Sequence, residues 1–441
     1  MEPAAVNVGA AALSGTATAE GSGRHIVWIA SALVAITRWP ALSRTLWDWD
    51  EALFALAVRD YDVRLYHPQP PGFPLFIALA KAMVKLVPFH DEFHALQAIV
   101  FVASLFVFPA AYFLARELGA SFFVAFGSAL VLAFMPNVWF YGGTAFSDVP
   151  SLVLSLFACA LLLRGRRDTR ALLAGAIVLG IAAGFRPQNL LIGLVPFVLG
   201  VVHSKRRIAA VLLLAIILIA SYGGAAIASG GWSSYRDALR EHEHYIRTTD
   251  SFLAPIRPSL IKVADDFFLR PFRAPAINIV LALLALIALA RRRAHVLLAL
   301  AIFGPFAIFA WLYLDFHSTS RFSIAYMPLI AIFAAEGIDA LRRFRAIALA
   351  ALIALLIVWT WPALTIVHRT ISPPIAALQF APNALIDDRL GAHAAYLRRE
   401  SNPNARVIVR EGRGAVTFAR DRARLAGIAR DRYFEVSVAP R

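Results

Sequence analysis

Residues 47–51 read Trp-Asp-Trp-Asp-Glu and place three carboxylates beside two indole rings, in a polar interval between long apolar segments. Tryptophan prefers the headgroup zone of a bilayer, where its ring is half dry and its N–H still finds a partner. A partly desolvated carboxylate at such a surface is suited to accept a proton from an acceptor hydroxyl or amine. Asp50 is the leading candidate for this general base, with Glu51 beside it. The alternative is structural, because both residues would also stabilise the start of a helix.

Asp148 is a second acidic candidate, in the segment Thr-Ala-Phe-Ser-Asp-Val-Pro of residues 144–150. An Asp shortly before a proline is also a good helix start, so the structural reading stands beside the functional one. If functional, Asp148 either positions the acceptor or holds a divalent cation together with Asp50. The sequence does not choose between these roles, and a metal requirement stays open.

Residues 67–72 read His-Pro-Gln-Pro-Pro-Gly and predict a rigid extended turn, because each proline fixes its own φ and restricts the preceding residue. Prolines alone would suffice to form a turn, so the presence of His67 and Gln69 needs another reason. Hydrogen bonding to a sugar or phosphate is that reason, and simple solvation of a loop is the alternative.

Arg186 and Arg321 lie at predicted helix ends, away from the arginine clusters that mark the other ends. A guanidinium is well matched to bidentate binding of phosphate, although an arginine at a helix end can also serve only to reach the interface. We expect both residues to bind a phosphate. Lys85, four residues after Lys81 on a moderately apolar segment at 73–88, is a third candidate for guiding that phosphate.

Other motifs point away from soluble chemistry. Residues 241–244 read Glu-His-Glu-His, but this spacing on a loop lacks the further ligands that zinc requires nearby, so we interpret the segment as a solvated loop. The chain has no phosphate-binding Walker loop, dinucleotide fingerprint or nucleophile elbow. Cys159 is the single cysteine and falls in an apolar segment, which excludes an intramolecular disulfide.

The composition is that of an integral membrane protein. Of 441 residues, 60% are hydrophobic and 16% are charged, and the mean hydropathy is +0.67. One soluble core could not bury this much apolar surface. The net charge of +15 sits in short loops and in the tail, so it indicates membrane topology and not a nucleic-acid partner.

About eleven segments are long and apolar enough to cross a bilayer as helices. The predicted spans are 26–42, 93–115, 121–140, 149–163, 171–184, 187–202, 208–229, 275–290, 294–313, 322–338 and 346–362. Alternating them places the arginine-rich loops on one side, which the positive-inside rule assigns to the cytoplasm. All the candidate site residues then fall on the outer, periplasmic side of an inner membrane. The first outer loop is predicted to carry a short surface helix at 52–65 and an interfacial helix at 73–88.

The predicted domains are a disordered segment at 1–23, a membrane domain at 24–362 and a small outer α/β cap at 363–441. The cap is predicted from a helix near 389–400 and strand-like pieces at 406–409, 415–420 and 432–439. The outer loop at 230–274 is longer than a connector requires and suggests a lid or a binding loop.

The order of these motifs resembles the GT-C glycosyltransferases, and more narrowly the group of protein O-mannosyltransferases, aminoarabinose transferases and rhizobial galacturonosyltransferase-like proteins. Asp50 and Glu51 match the acidic pair of the first loop, His67 and Pro68 the His-Pro turn, and Arg321 with Pro328 a late Arg-aromatic-Pro element. The resemblance covers about residues 26–362. Two features depart from it, since Gln69 interrupts the usual His-Pro-Pro and the tail is short.

The resemblance implies an all-α polytopic enzyme that moves a sugar from a polyprenyl-phosphate donor to a glycan, lipid or protein acceptor. The rival hypothesis is a secondary transporter or lipid flippase, which would carry ionisable residues at mid-membrane and two related halves. A glycan-binding membrane scaffold is a third. The sequence does not specify the sugar, the acceptor or the oligomeric state.

Overall fold

The computed structural model describes residues 25–43, 49–87, 90–202, 204–271, 274–316 and 318–369, and two short strands near the C-terminus. The first helix, α1, covers residues 25–36. The following helices are α2 Trp49–Arg59, α3 Pro74–Met83, α4 Glu92–Leu105, α5 Val107–Glu117, α6 Phe122–Phe134, α7 Pro136–Tyr141, α8 Asp148–Arg164, α9 Thr169–Phe185, α10 Asn189–Val202, α11 Arg207–Ala228, α12 Trp232–Thr249, α13 Leu260–Ala264, α14 Pro275–Ala290, α15 Ala294–Tyr313, α16 Thr319–Phe322, α17 Met327–Asp339 and α18 Arg345–Arg369.

Four of the described helical segments are long and apolar enough to cross a membrane, and a fifth forms if α4 and α5 count as one span bent by 44°. Further apolar helices of 10–17 residues accompany them, among them α6, α9, α10 and α14. The protein is therefore an all-α integral membrane protein. The number of crossings, predicted as about eleven, stays a prediction.

The helices pack into one bundle with a continuous apolar core that includes Phe108, Leu156, Phe303 and Phe333. Helices α8 with α9, α5 with α6, and α14 with α17 are among the pairs with the most extensive contacts. At Gly337 on α17, a side chain would overlap with the carbonyl oxygen of Leu284 on α14. Glycine at this position lets the two backbones approach closely, as small residues do in membrane helix pairs.

The bundle has two chemically different ends. Asp50, Asp148, Arg186 and Arg321 lie at the ends of helices on one side, which we call the site end. The opposite side carries Arg291 and the segment Arg342–Arg345 and is called the arginine end. Nearly continuous helix from Arg321 to Glu336 separates them by roughly 20 Å, at about 1.5 Å per residue.

The first polar loop differs from the prediction. The helix expected on the surface at 52–65 is α2, which begins at Trp49 and is buried from Leu53 to Val58. Arg59 at its end forms an ion pair with the buried Glu92 of α4. The surface assignment was wrong because Leu53–Val58 is apolar on every side, a pattern typical of a fully buried helix. The interfacial helix expected at 73–88 is α3, which covers only Pro74–Met83.

Residues 230–274 are largely helical, and the interpretation as a loop was wrong. They contain α12, α13 and a five-residue π-helix at Asp265–Leu269. The backbone N–H of Phe252 donates to the carbonyl of Leu312 at 2.7 Å, and the indole N–H of Trp311 donates to the carbonyl of Leu260 at 2.9 Å. These bonds attach the segment to the end of α15.

The tail contributes strands β1 (Val407–Ile408) and β2 (Val436–Ser437), which pair in parallel with Val407 opposite Val436. They fall within two of the predicted strand pieces. The third strand piece at 415–420, the helix near 389–400 and the segment 1–23 lie outside the described residues. The three domain boundaries therefore stay predictions.

Candidate functional site

Two ion pairs form the centre of the site. Nη2 of Arg321 lies 2.5 Å from Oδ2 of Asp50, and Nη1 of Arg186 contacts Oδ1 of Asp148. The four side chains are between 6% and 23% exposed, with Asp50 the most accessible. Arg186 is also within electrostatic range of Asp50 and Arg321. The structure thus brings together four residues that the sequence separates by up to 271 positions.

Helix ends hold these four groups in place. Asp50 lies in the first turn of α2 and Asp148 is the first residue of α8, so each carboxylate is near the positive end of a helix dipole. Arg186 directly follows α9, and Arg321 lies in the single turn of α16. The polar groups therefore converge at the site end without entering the apolar core.

Aromatic rings surround both guanidinium groups. Arg321 lies 4.5 Å from the ring centroids of Phe146 and Phe322. Arg186 lies over Phe73 and over the same Phe322, at 5.7 and 5.9 Å. Rings at these distances attract the cations and exclude water from their faces. The two arginines share one half-dry wall that a charged ligand would contact.

Glu51 is fully buried and accepts a hydrogen bond of 2.7 Å from the backbone N–H of Ala145. This bond ties the start of α2 to the turn that precedes α8. Nearby, the amide of Gln97 donates to the carbonyls of Ser43 and Gly143 at 2.7 and 2.8 Å. Glu51 therefore positions Asp50 relative to Asp148, and its proposed catalytic role stays a prediction.

The His-Pro turn is held by backbone bonds and covered by α12. His67 is buried, and its backbone exchanges two hydrogen bonds with Asp62, at 2.8 and 3.0 Å. The hydroxyl of Tyr235 on α12 donates to the carbonyl of Pro71 at 2.8 Å. The side-chain oxygen of Gln69 is buried and has no hydrogen-bond partner among the residues that the structure describes. Gln69 is thus an acceptor without a protein donor, as a binding residue would be.

Lys85 does not join this group. It is exposed, in a turn that follows α3, whereas Phe73, directly before the other end of α3, contacts Arg186. Eleven residues separate Lys85 from Pro74, which is roughly 15 Å along a helix. No contact joins Lys85 to either ion pair within the described part of the chain, and its role in binding phosphate stays a prediction.

Sequence reasoning missed a further acidic position beside the site, Asp250 at the end of α12. Burial raises the pKa of Asp250 to about 7, Asp315 and Asp50 add to this shift, and Arg257 opposes it. One available signal was the amphipathic pattern of residues 232–249, which predicts a helix packed over the site and not a solvated loop.

The segment Glu-His-Glu-His lies within α12. His242 is half-buried between the rings of Tyr66 and Tyr245, at centroid distances of 5.9 and 6.1 Å. Burial lowers the pKa of His242, so its neutral form is favoured against the rings. His242 therefore contributes to an aromatic wall between α12 and the turn before His67, and the interpretation as a solvated loop was wrong for this residue.

A divalent cation was one of the roles left open for Asp50 and Asp148. Each of these carboxylates contacts a guanidinium, and no group of three or more His, Cys, Asp or Glu residues in the described ranges could hold a metal. A guanidinium already supplies the positive charge that a metal would bring to each carboxylate. These contacts give no support to a shared metal site.

The sequence matches no protein-family model and no curated protein. The folded chain, in contrast, has the architecture of the GT-C membrane glycosyltransferases. Among solved structures it is similar to ArnT from Cupriavidus metallidurans bound to undecaprenyl phosphate. The TM-score is 0.55 at 13% identity, over 93% of this chain and 89% of that one. The apo state of ArnT gives a TM-score of 0.52 at 16% identity, over 86% of this chain and 69% of that one.

A more distant similarity is to the oligosaccharyltransferase of Archaeoglobus fulgidus, in its complex with Zn and sulfate. The TM-score is 0.46 at 13% identity, over 86% of this chain. The chain spans 56% of the length of that protein. At 13% and 16% identity the similarity to ArnT establishes the fold alone, and the activity must be argued from the site.

Proposed function

We propose that the chain is a glycosyltransferase that moves a sugar from a polyprenyl-phosphate donor to an acceptor at the outer face of the inner membrane. Asp50 acts as the general base, and Arg321 with Arg186 binds the donor phosphate. Asp148, His67 and Gln69 position the acceptor. The solved structures with the same fold support this class, since one of them was determined with undecaprenyl phosphate bound.

The observation that carries the proposal is the contact between Asp50 and Arg321 on the half-dry wall of the site end. Glycosyl transfer with displacement at the sugar needs a base on the acceptor side and positive charge where the phosphate departs. Asp50 and Arg321 provide these two groups side by side. Arg186 adds a second cation within electrostatic range of both.

The chemical step follows from these positions. A carboxylate oxygen of Asp50 takes the proton of the acceptor hydroxyl or amine, and the acceptor atom bonds to the anomeric carbon. The bond between that carbon and the phosphate oxygen breaks, and the electron pair leaves with the polyprenyl phosphate. The guanidinium groups stabilise the charge that develops on this leaving group.

Binding of the donor would also prepare the base. In the structure Arg321 holds the carboxylate of Asp50. A donor phosphate competes for the same guanidinium, since phosphate and carboxylate suit its geometry equally. Once Arg321 turns to the phosphate, Asp50 is released to face the acceptor. The mechanism therefore predicts that the donor binds before the acceptor.

Two buried oxygens support an acceptor side rich in hydroxyl groups. Neither Oδ2 of Asp148 nor Oε1 of Gln69 has a hydrogen-bond partner in the described part of the chain. A buried acceptor atom without a donor is costly, by about 1–3 kcal/mol. Hydroxyl groups of a sugar or of the acceptor would supply the missing donors.

The orientation of the site rests on the distribution of arginines. The loops at the arginine end carry Arg291–Arg293 and Arg342, Arg343 and Arg345, which the positive-inside rule assigns to the cytoplasm. The site end then faces the periplasm. Cysteine labelling from outside intact cells, at exposed Asp237 of α12 and at exposed Arg206, tests this topology.

The direct test incubates the purified protein with polyprenyl-phosphate sugars labelled in the sugar, together with extracted cell-envelope acceptors. We expect label in the acceptor fraction and release of one polyprenyl phosphate per transfer. Counterflow of intact donor into liposomes would instead support the transporter hypothesis, and binding without turnover would support the scaffold. Either outcome would refute the hypothesis that the protein is a glycosyltransferase.

A further inference from the structure

The arginine end has a surface cavity of ≈ 590 Å³ that is open to its surroundings. It is lined by one acidic and five basic residues together with one alanine: Arg291, Arg293, Asp339, Arg342, Arg343, Arg345 and Ala346. The cavity lies between the ends of α14 and α17 and the start of α18. It is far from the site described above and serves no step of the proposed reaction.

Only part of the positive charge of this cavity is balanced. Buried Glu336 accepts a hydrogen bond from Nε of Arg291 at 2.5 Å and contacts Nε2 of His295 at 2.9 Å. Asp339 accepts hydrogen bonds from Arg345 at 2.8 Å and from Arg291 at 3.3 Å. Two carboxylates therefore face five arginines.

The remaining arginines are available to a ligand. Arg293 approaches Glu336 only to 3.9 Å. Within the ranges that the structure describes, Arg342 and Arg343 contact no carboxylate, and Arg343 lies only over the ring of Phe344, at 4.7 Å. Guanidinium groups that converge on one cavity and outnumber its carboxylates are suited to bind phosphate.

The turns that carry these arginines contain two residues in the left-handed region. Arg292 and Arg342 adopt left-handed φ values of 47° and 46°, a conformation that costs free energy in residues other than glycine. The turns between α14 and α15 and between α17 and α18 each contain one of them.

Apolar side chains beside the cavity indicate what kind of phosphate compound fits. Leu341, Phe344 and Ile347 are 42%, 53% and 70% exposed, and Leu286 on α14 is 63% exposed. They lie next to the cavity-lining arginines on surfaces that face a bilayer in a membrane protein. A ligand with a phosphate headgroup and acyl chains would contact both surfaces at once.

We infer that this cavity binds the headgroup of an anionic phospholipid of the cytoplasmic leaflet. The headgroup phosphate occupies the space between Arg293, Arg342 and Arg343, and the acyl chains lie along Phe344 and Ile347. Paired Arg291 and Arg345 form the fixed walls. The inference does not depend on the catalytic role of the opposite end.

The test measures lipid binding to the purified full chain in a neutral detergent. Phosphatidylglycerol, cardiolipin, phosphatidylcholine and inorganic pyrophosphate are added in turn, with native mass spectrometry and thermal unfolding as readouts. We expect phosphatidylglycerol or cardiolipin to be retained and to raise Tm, and phosphatidylcholine to do neither. Tight binding of pyrophosphate without lipid retention would overturn the lipid assignment.

Three variants distinguish lipid binding at a shaped site from nonspecific attraction of the lipid to basic residues. R342Q/R343Q should weaken retention of anionic lipid at least fivefold, whereas R206Q/R207Q, which removes two exposed arginines elsewhere on the same side, should leave it within twofold. Ala346→Trp keeps every charge and fills the cavity, so it should also weaken retention. Equal losses in both arginine pairs, or full retention in Ala346→Trp, would contradict the inference. The second readout, Tm without lipid, identifies any variant that fails to fold.

Discussion

The two ends of the bundle use the same residue types in different proportions. At the site end each central arginine contacts one carboxylate, Arg321 with Asp50 and Arg186 with Asp148. At the arginine end five arginines surround Glu336 and Asp339, and Arg342 and Arg343 have no carboxylate partner in the described residues. An arginine that is paired with one carboxylate can change to a ligand as its partner. An excess of arginines over carboxylates, in contrast, favours binding of a ligand of the opposite charge.

Removing the carboxylate of Asp50 is the strongest test of this difference. Asp50→Asn should lower kcat by about 10²–10⁴-fold, because a general base contributes that much. Asp339→Asn, which also removes a carboxylate bound to arginine, should leave kcat within a few-fold of wild type. Turnover of labelled donor measures both, and near-normal turnover in Asp50→Asn would remove the base assignment.

Breaking the second pair should chiefly affect stability. Asp148→Asn leaves the buried guanidinium of Arg186 without its counter-charge, a change that costs about 3–5 kcal/mol in buried pairs. Glu336→Gln should cost less, because Arg291 is 27% exposed and keeps Asp339. Thermal unfolding in detergent compares the two. If D148N/R186Q is no more stable than Asp148→Asn, the two side chains are not coupled.

Exchange of guanidinium for ammonium sharpens the comparison further. Arg321→Lys keeps the charge but loses bidentate binding, and we expect kcat/KM for the donor to fall by about 10–100-fold. Arg345→Lys at the arginine end should change it less than twofold. Comparable losses in both variants would mean that the effect comes from folding and not from the donor phosphate.

We expect the smallest of these effects from Asp250, as a dependence of KM on pH. Its pKa of about 7 means that it is neutral below that value and anionic above it, beside Asp50 and Asp315. An additional negative charge weakens binding of an anionic donor, so KM should rise a few-fold between about pH 6 and 8. Asp250→Asn should remove this rise, measured as KM against pH.

Asp250 should also make the stability of the fold decrease as the pH rises. A carboxyl whose pKa is raised in the folded state stabilises the fold fully below its unfolded pKa, near 4, and loses this contribution as the pH rises through about 7. Asp237→Asn on the exposed side of α12 is the matched control, and its pH profiles of Tm and KM should follow wild type.

Much of the helical pattern was predictable from the sequence. Helices α14 and α15 have the predicted bounds, 275–290 and 294–313, because each is an uninterrupted apolar segment between polar or proline-containing turns. The break between α4 and α5 and the helical character of 230–249 were not predicted. An apolar segment does not reveal a bend of 44°, and a polar helix resembles a loop until its partner surface is known.

The site residues were predictable as a group but not in their pairing. Asp50, Asp148, Arg186 and Arg321 share a sequence position at helix ends, which predicts one surface. Which carboxylate meets which arginine depends on how α2, α8, α9 and α16 pack, and the sequence left a shared metal and acceptor positioning open as alternatives. Asp250 was missed because its burial depends on α12 lying against the bundle.

The distance in sequence between Asp50 and Arg321 also has a consequence for biogenesis. The two residues are 271 positions apart, so at about 5–20 residues per second the ribosome needs roughly 14–54 s after Asp50 to make its partner. During this interval most helices have already left the ribosome, and the ion pair between Asp50 and Arg321 has not yet formed. The central ion pair of the site is therefore completed only when the last third of the chain has been made.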